Sequence, residues 1–204
     1  MVTKGSKVLD LGCAEGLLGS SFCKIGCTVI GVEISQKSAR KAKNKINKVI
    51  TGNIEDVKVF NKIKNLGPYD IVFASSIFEH LVNPQYTAIK LSKLLKKNGF
   101  MIITLPNIGH WTARLSILLG KFDYQDSGIF DRTHLHFYTI KTAREFFKES
   151  NLTIKEYDYE LTEFPILHRL FKLLPGGSLL QFKFYRFFPA FFAYQMMFKV
   201  NPTK

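Results

Sequence analysis

The chain has 204 residues, 46% of them hydrophobic and 22% charged, with a formal net charge of +13. That length holds one hydrophobic core, or one core with an appendage, and the composition excludes a disordered or fibrous chain. No apolar run reaches the roughly 18 residues that span a bilayer as a helix, and the opening "MVTKGSKV" has no secretory-signal core.

Taken in chain order, the pattern alternates strand and helix. "KVLDLG" (7–12) is short and apolar, which predicts a buried strand. A helix is predicted over 16–25, with Leu17, Leu18, Phe22 and Ile25 sharing a face. "TVIGVE" (28–33) is a second strand, residues 36–47 a helix striped by Ala39, Ala42 and Ile46, and "KVIT" (48–51) a third strand. "YDIVFAS" (69–75) is the fourth. Pro84 opens a helix that Gly99 is expected to stop, and "FMIITL" (100–105) is the fifth strand. Strands separated by helices imply a parallel sheet covered on both faces.

After Pro106 the character changes. Residues 108–120 suit a helix with Trp111, Leu115, Leu118 and Leu119 near one side, followed by the polar loop "DYQDSGIFDRTH". Residues 141–150 read as a helix and "LTIKEYDYEL" (152–161) as a strand. From Phe164 onward the chain is aromatic and basic and contains no acid, with a last strand expected near 193–200. The expectation is one domain over 1–204. Its fold class is α/β, a doubly wound, Rossmann-like, mostly parallel sheet with a helical aromatic C-terminal elaboration. Residues 1–107 would form a cofactor-binding core and 108–204 the acceptor side.

In such a sheet, ligands sit beyond the carboxyl ends of the strands. The corner "VLDLGCAEG" (8–16) follows the first strand. A dinucleotide site would need further glycines where Ala14 and Leu17 stand, and Asp10 at the strand tip would repel a phosphate. S-adenosylmethionine has no phosphate and carries two cationic centres, so an acid there is an asset. Gly12 and Gly16 let backbone approach the ligand. Glu33, ending the second strand, is placed to accept from both ribose hydroxyls. Asn53 in "GNIED" (52–56) is placed to pair with the adenine edge, and Ile54 to cover its face. Cys13, Ala14, Ile34 and Ser75 complete the expected cofactor-binding set.

Together "VLDLGCAEG", Glu33, "GNIED" and "YDIVFASSIFEHL" resemble the class I S-adenosylmethionine-dependent methyltransferases. The resemblance implies a seven-stranded sheet whose last strand is inserted antiparallel. This chain departs from the family in having Ala14 for the second glycine and Asn53 for a common Asp. The second half, "LPNIGHWTARLSILLGKFDY" and "DSGIFDRTHLHFYT", is similar to methyltransferases associated with polysaccharide and cell-surface glycan biosynthesis, and more distantly to ubiquinone-type O-methyltransferases. The latter carry acids and a His able to hold a divalent metal after the fourth strand. Here Ser76 takes the place of the first acid, and no metal is expected.

Methyl transfer to a hydroxyl benefits from a base. Glu79 and His80 follow the fourth strand, and the loop offers Asp131, Arg132, His134 and His136. His134 or His80 is the expected base, with Glu79 and Asp131 beside them. Arg132 is expected to bind an acidic part of the acceptor, and Asn107, His110 and His136 to line its pocket. The expected reaction is O-methylation of a sugar or glycan precursor or other small hydroxylated acceptor. The alternatives are a nucleic-acid methyltransferase, suggested by the net charge, and a non-catalytic cofactor-binding scaffold. Against nucleic acid, the basic cluster "KSARKAKNKINK" (37–48) lies away from the methyl site. Three cysteines suit a reducing compartment, so a cytoplasmic location is expected. The segment 164–192 sets aromatics beside Lys and Arg, a pattern suited to peripheral membrane contact. The first strand starts close to Met1, where related enzymes carry lid helices. A truncated chain, a lid formed by the C-terminal segment, or one lent by a partner are all open.

Overall fold

The computed structural model describes residues 2–203. Strands β1 (Lys7–Leu11), β2 (Thr28–Glu33), β3 (Lys48–Thr51), β4 (Tyr69–Ser75), β5 (Leu95–Pro106), β6 (Leu152–Leu161) and β7 (Ala193–Pro202) form one sheet in the order β3-β2-β1-β4-β5-β7-β6. The first five run parallel, and β7 enters antiparallel between β5 and β6. Strand order reverses between β1 and β4. The crevice at that switch point lies beyond the ends of β1, β2 and β4.

Helices α1 (Leu17–Lys24), α2 (Gln36–Ala42), α3 (Val57–Asn65), α4 (Pro84–Ser92), α5 (Trp111–Leu118) and α6 (Ile140–Glu149) connect the strands. A hairpin of α7 (Pro165–Lys172) and α8 (Gly177–Phe187), with the short α9 (Pro189–Phe192), precedes β7. Strand alternation divides the core. Leu9 and Leu11 face one apolar cluster with Val32, Ile63, Phe78 and Phe147; Val8 faces a second with Cys13, Val29, Ala42 and Ile46.

Several elements differ from the sequence expectation. No element is predicted between β3 and β4, yet α3 forms there. Asp56 caps it by accepting from Lys58 N at 2.7 Å, and Val59, Phe60 and Ile63 bury its inner face. Gly99 lies inside β5 rather than ending a helix. A Cβ there would stand 3.0 Å from the Tyr69 carbonyl oxygen, so glycine lets β5 approach β4. Leu17, Leu18 and Ile25 of the α1 region are exposed; the helix buries Gly19 instead, where a Cβ would meet Ile46 and Val29. In α5, Leu115 and Leu118 are exposed, as is Leu119 after it, and Ala113 is the residue the helix buries. The Ala39, Ala42 and Ile46 stripe is buried, although α2 ends at Ala42.

Candidate active site

A cavity of about 530 Å³ opens at the switch point. Gly12 forms part of its floor, Glu33 and Ile34 one side, Asn53 and Ile54 another, and Ser75, Ser76 and Ile77 the side nearest β4. Gly12 has φ +65°, and a Cβ on it would collide with Ile77 Cδ1. The position needs glycine both for its left-handed backbone and for its space. The Glu33 carboxylate accepts from Ala14 N at 2.9 Å and from Ser35 N at 2.8 Å, which holds the glycine corner against the end of β2. Ala14 pays for this turn with φ 46°, a conformation glycine would adopt freely. At the β4 end, Gln195 Nε2 on β7 donates to Ser76 Oγ at 2.7 Å and to Thr104 Oγ1 at 3.1 Å. Ser76, at φ 52°, is held there.

His80 and Thr133 close the rim of the same cavity. His80 sits in a single turn of 3-10 helix (Phe78–His80) just past β4. Its Nδ1 lies 2.9 Å from Thr133 Oγ1 and 3.2 Å from the Thr133 carbonyl oxygen. Thr133 Oγ1 in turn donates to Asp131 Oδ1 at 2.6 Å. A carbonyl only accepts, and the threonine hydroxyl has given its proton to Asp131, so Nδ1 carries the hydrogen. The free lone pair of His80 is then on Nε2. Two hydrogen bonds from Thr133 hold the Asp131 carboxyl below the ordinary carboxylate range.

Behind this pair lies Glu79, fully buried, whose carboxylate oxygens have Ser76 nearby but make no well-formed hydrogen bond among the described residues. Burial raises it to about 7. His134 Nε2 is 4.0 Å from Glu79 Oε1. Its Nδ1 donates to the Ile129 carbonyl at 3.1 Å, which leaves Nε2 unprotonated in the neutral ring, and burial lowers its pKa. One ligand atom each from Glu79, His80 and His134 lie within 4.8 Å of one another. The expectation of no metal rested on Ser76; the loop instead brings His134 in as a third donor. Two imidazoles and a carboxylate suit a divalent cation.

The family model described as "Methyltransferase domain" matches residues 3–157. The chain belongs to this methyltransferase family. It is 36% identical over 108 residues to the ubiquinone biosynthesis O-methyltransferase of Pelagibacter ubique, covering 51% of this chain and 43% of that one. The chain spans about half the length of the curated relatives it matches. A methyltransferase from Archaeoglobus fulgidus superposes with TM-score 0.64 at 16% identity, covering 98% of this chain and 86% of that one. Magnesium protoporphyrin IX methyltransferase from Synechocystis, solved with bound SAH, gives 0.62 at 15% identity, over 98% and 75%. At these identities the structural likeness establishes the fold.

Within the methyltransferase domain, the expected residues sort into three groups. Gly12, Glu33, Ile34, Asn53, Ile54, Ser75 and His80 line the cavity. Asp10, Cys13 and Gly16 are buried and Ala14 is exposed at the glycine corner; none of the four is among the cavity-lining residues. Strand alternation turns Asp10 under α1, where Oδ2 has no partner and burial, with Glu33 nearby, raises it to about 7. Cys13 is buried against Gly31, which pushes its thiol up to about 12. Gly16 serves the α1–α2 contact, since a Cβ would lie 3.1 Å from Ala42. Asn53 Oδ1, expected to accept from adenine, accepts from Glu55 N at 2.9 Å and so shapes its own turn.

The third group lies away from the cavity. Asn107 donates to the Ala193 carbonyl at 2.8 Å and accepts from Gly109 N, which locks β5 to β7. His110 caps α5 by accepting from Thr112 N, and burial lowers it to about 4. Arg132, exposed, pairs with Asp126 at 2.8 Å. His136 donates to the Leu81 carbonyl at 3.0 Å. None of these four is among the residues lining the cavity, and each makes at least one contact elsewhere in the fold. Sequence reasoning missed Thr133, Ile77 and Gln195. Thr133 carried a signal, the Asp-x-Thr turn of "DRTH"; Gln195 carried none, being 119 residues from the serine it holds.

Proposed function

We propose that this methyltransferase domain binds S-adenosylmethionine in the switch-point cavity and methylates a hydroxyl on a small acceptor, with His80 as the base. The observation that carries this is the meeting, in one cavity, of the Gly12 cradle, the Glu33 carboxylate and His80 with a free Nε2. The residues fit the cofactor. Gly12 leaves space that a side chain would fill, Ile34 and Ile54 offer apolar walls for a flat base, and Glu33 retains lone pairs for ribose hydroxyls. Bound there, S-adenosylmethionine supplies an electrophilic methyl group.

The chain's own part is positioning and proton removal. The Asp131–Thr133–His80 chain fixes the imidazole tautomer and leaves Nε2 of this cavity-lining residue free to take the hydroxyl proton. Ile77 and Leu81 exclude water on the same side. The relatives' names favour a ubiquinone-type phenolic acceptor over the glycan precursor that the second half of the sequence suggested. Matches that cover half of each relative do not extend to the acceptor itself. A second reading follows from the unpaired Glu79 carboxylate: with His80 and His134 it would hold a divalent cation that polarises the acceptor oxygen.

The test is calorimetry followed by turnover. S-adenosylhomocysteine is expected to bind and NADH not to. Gly12→Val is expected to weaken binding roughly a hundredfold through backbone strain and the Ile77 collision. Labelled methyl is then followed onto phenols, hydroxylated lipids and glycans, with and without chelator. Heat with NADH and none with S-adenosylhomocysteine defeats the proposal.

A further inference from the structure

The α7–α8 hairpin carries its apolar stripes outward. On α7, Ile166, Leu170 and Leu173 follow i, i+4, i+7 spacing and are 72%, 57% and 81% exposed, while Phe171, on the other side, is the residue buried. On α8 the inward residues are Gln181 and Tyr185; Leu179, Leu180, Phe182 and Phe187 face solvent, Phe187 at 78% exposure. A soluble helix normally turns its stripe to the core. Here the stripe is displayed, and it is bordered by cations. Arg169, Lys172 and Lys183 are exposed and have no ion-pair partner among the described residues, and no acid occurs after Glu163.

From this arrangement we infer that the α7–α8 hairpin is a docking surface for an anionic lipid bilayer, lying in the headgroup plane with Leu173 and Phe187 inserted. Charge decides among occupants. A second copy of the chain would set Arg169, Lys172 and Lys183 against their own images, which an isologous contact cannot relieve. A nucleic acid would satisfy the cations but leave the Ile, Leu and Phe stripe in water. An anionic bilayer satisfies both: the long basic side chains reach the phosphates while their stems and the apolar stripe enter the acyl boundary.

The surface is fastened to the cavity. Tyr185 stacks on Phe192 at 4.2 Å between ring centroids, Asn107 ties the Ala193 carbonyl, and Gln195 holds Ser76 at the cavity wall. Docking therefore places the cavity at the membrane, whichever acceptor it serves.

Vesicle flotation at low salt tests the inference independently of methyl transfer. The probes are phosphatidylcholine vesicles with about a third phosphatidylglycerol, and phosphatidylcholine alone. The chain is expected to float with the first and remain below with the second. Lys172→Gln and Lys183→Gln are each expected to lower partitioning about fivefold. Leu173→Ser with Phe187→Ser is expected to lower it tenfold or more. These positions are exposed, so circular dichroism and S-adenosylhomocysteine binding are expected to stay unchanged and report a folded chain. The inference is overturned if the wild-type chain stays below both vesicle types, or if the double variant floats as well as wild type. It is also overturned if those substitutions abolish self-association or oligonucleotide binding while vesicles are never bound.

Discussion

Apolar helical stripes meet opposite fates in this molecule, and the divide follows its two halves only in part, since Leu17, Leu18 and Ile25 of the α1 region are exposed while Phe146 and Phe147 of α6 are buried. In residues 7–106, Ala39, Ala42 and Ile46 read as an apolar helical stripe and are buried against the sheet. In residues 107–203, Leu115, Leu118 and Leu119 read the same way and face solvent, and on α7 Ile166 and Leu170 are exposed while Phe171 is buried. The difference lies in what each helix is offered. Strands β1 to β5 present apolar side chains on both faces, and the helices between them are drawn onto those faces. Helices α5 and α7 attach through few residues, Ala113 and Phe171 being the ones they bury. A stripe on a helix states that burial would be favourable; it does not supply a surface to be buried against.

The largest expected effect lies where the halves meet. His80 comes from the first and Thr133 from the second. His80→Ala is expected to lower the methyl-transfer rate about 10²- to 10⁴-fold, with S-adenosylhomocysteine binding retained. An unchanged rate would leave the junction structural and remove His80 as base. Next is the buried half alone. Ile63 is fully buried on the inner face of α3, and Ile63→Ala is expected to cost about 2–5 kcal/mol in urea unfolding. A loss near zero would erase the contrast drawn between the two halves.

A third expectation sharpens the electrostatics of the buried half. Asp10 titrates at about 7 in the folded chain, against an ordinary value of 3.8. Between those values the folded state keeps a proton that the unfolded state has released. Stability from this group is therefore fully present below the lower value and is lost as pH rises through the upper one. Asp10→Asn removes that dependence. Its stability relative to wild type is expected to rise by about 1–3 kcal/mol between about pH 4 and pH 7, read from melts across that window. A difference independent of pH would mean that Asp10 is solvated. The smallest effect belongs to the exposed half: Leu118 is 82% exposed, and Leu118→Ser is expected to change stability by less than about 0.5 kcal/mol. A larger loss would show that α5 has a covered face after all.

The sequence by itself determined the sheet. Short apolar runs made β2, β3 and β4 legible to the residue, alternation did the same for the edge strand β6, and the intervening helices implied the parallel order of the first five. It also determined the glycine corner, because Gly12 sits at φ +65°, a conformation that strains any side chain. The helix α3 was not read from the sequence: Lys58, Lys62 and Lys64 interleave its Val59, Phe60 and Ile63 stripe, and the Asp56 cap is seen only in the folded chain. Only the tertiary structure decided which polar residues face the cavity. Asn107, His110, Arg132 and His136 are polar candidates in the sequence just as His80 is, yet none lines the cavity, and each contacts a partner up to 86 residues away. Thr133 acquires its role because the loop folds back onto the end of β4, where it sets the His80 tautomer. Periodicity reports which side of an element prefers apolar surroundings. Pairing of polar groups depends on distances between elements, and those exist only once the chain has packed.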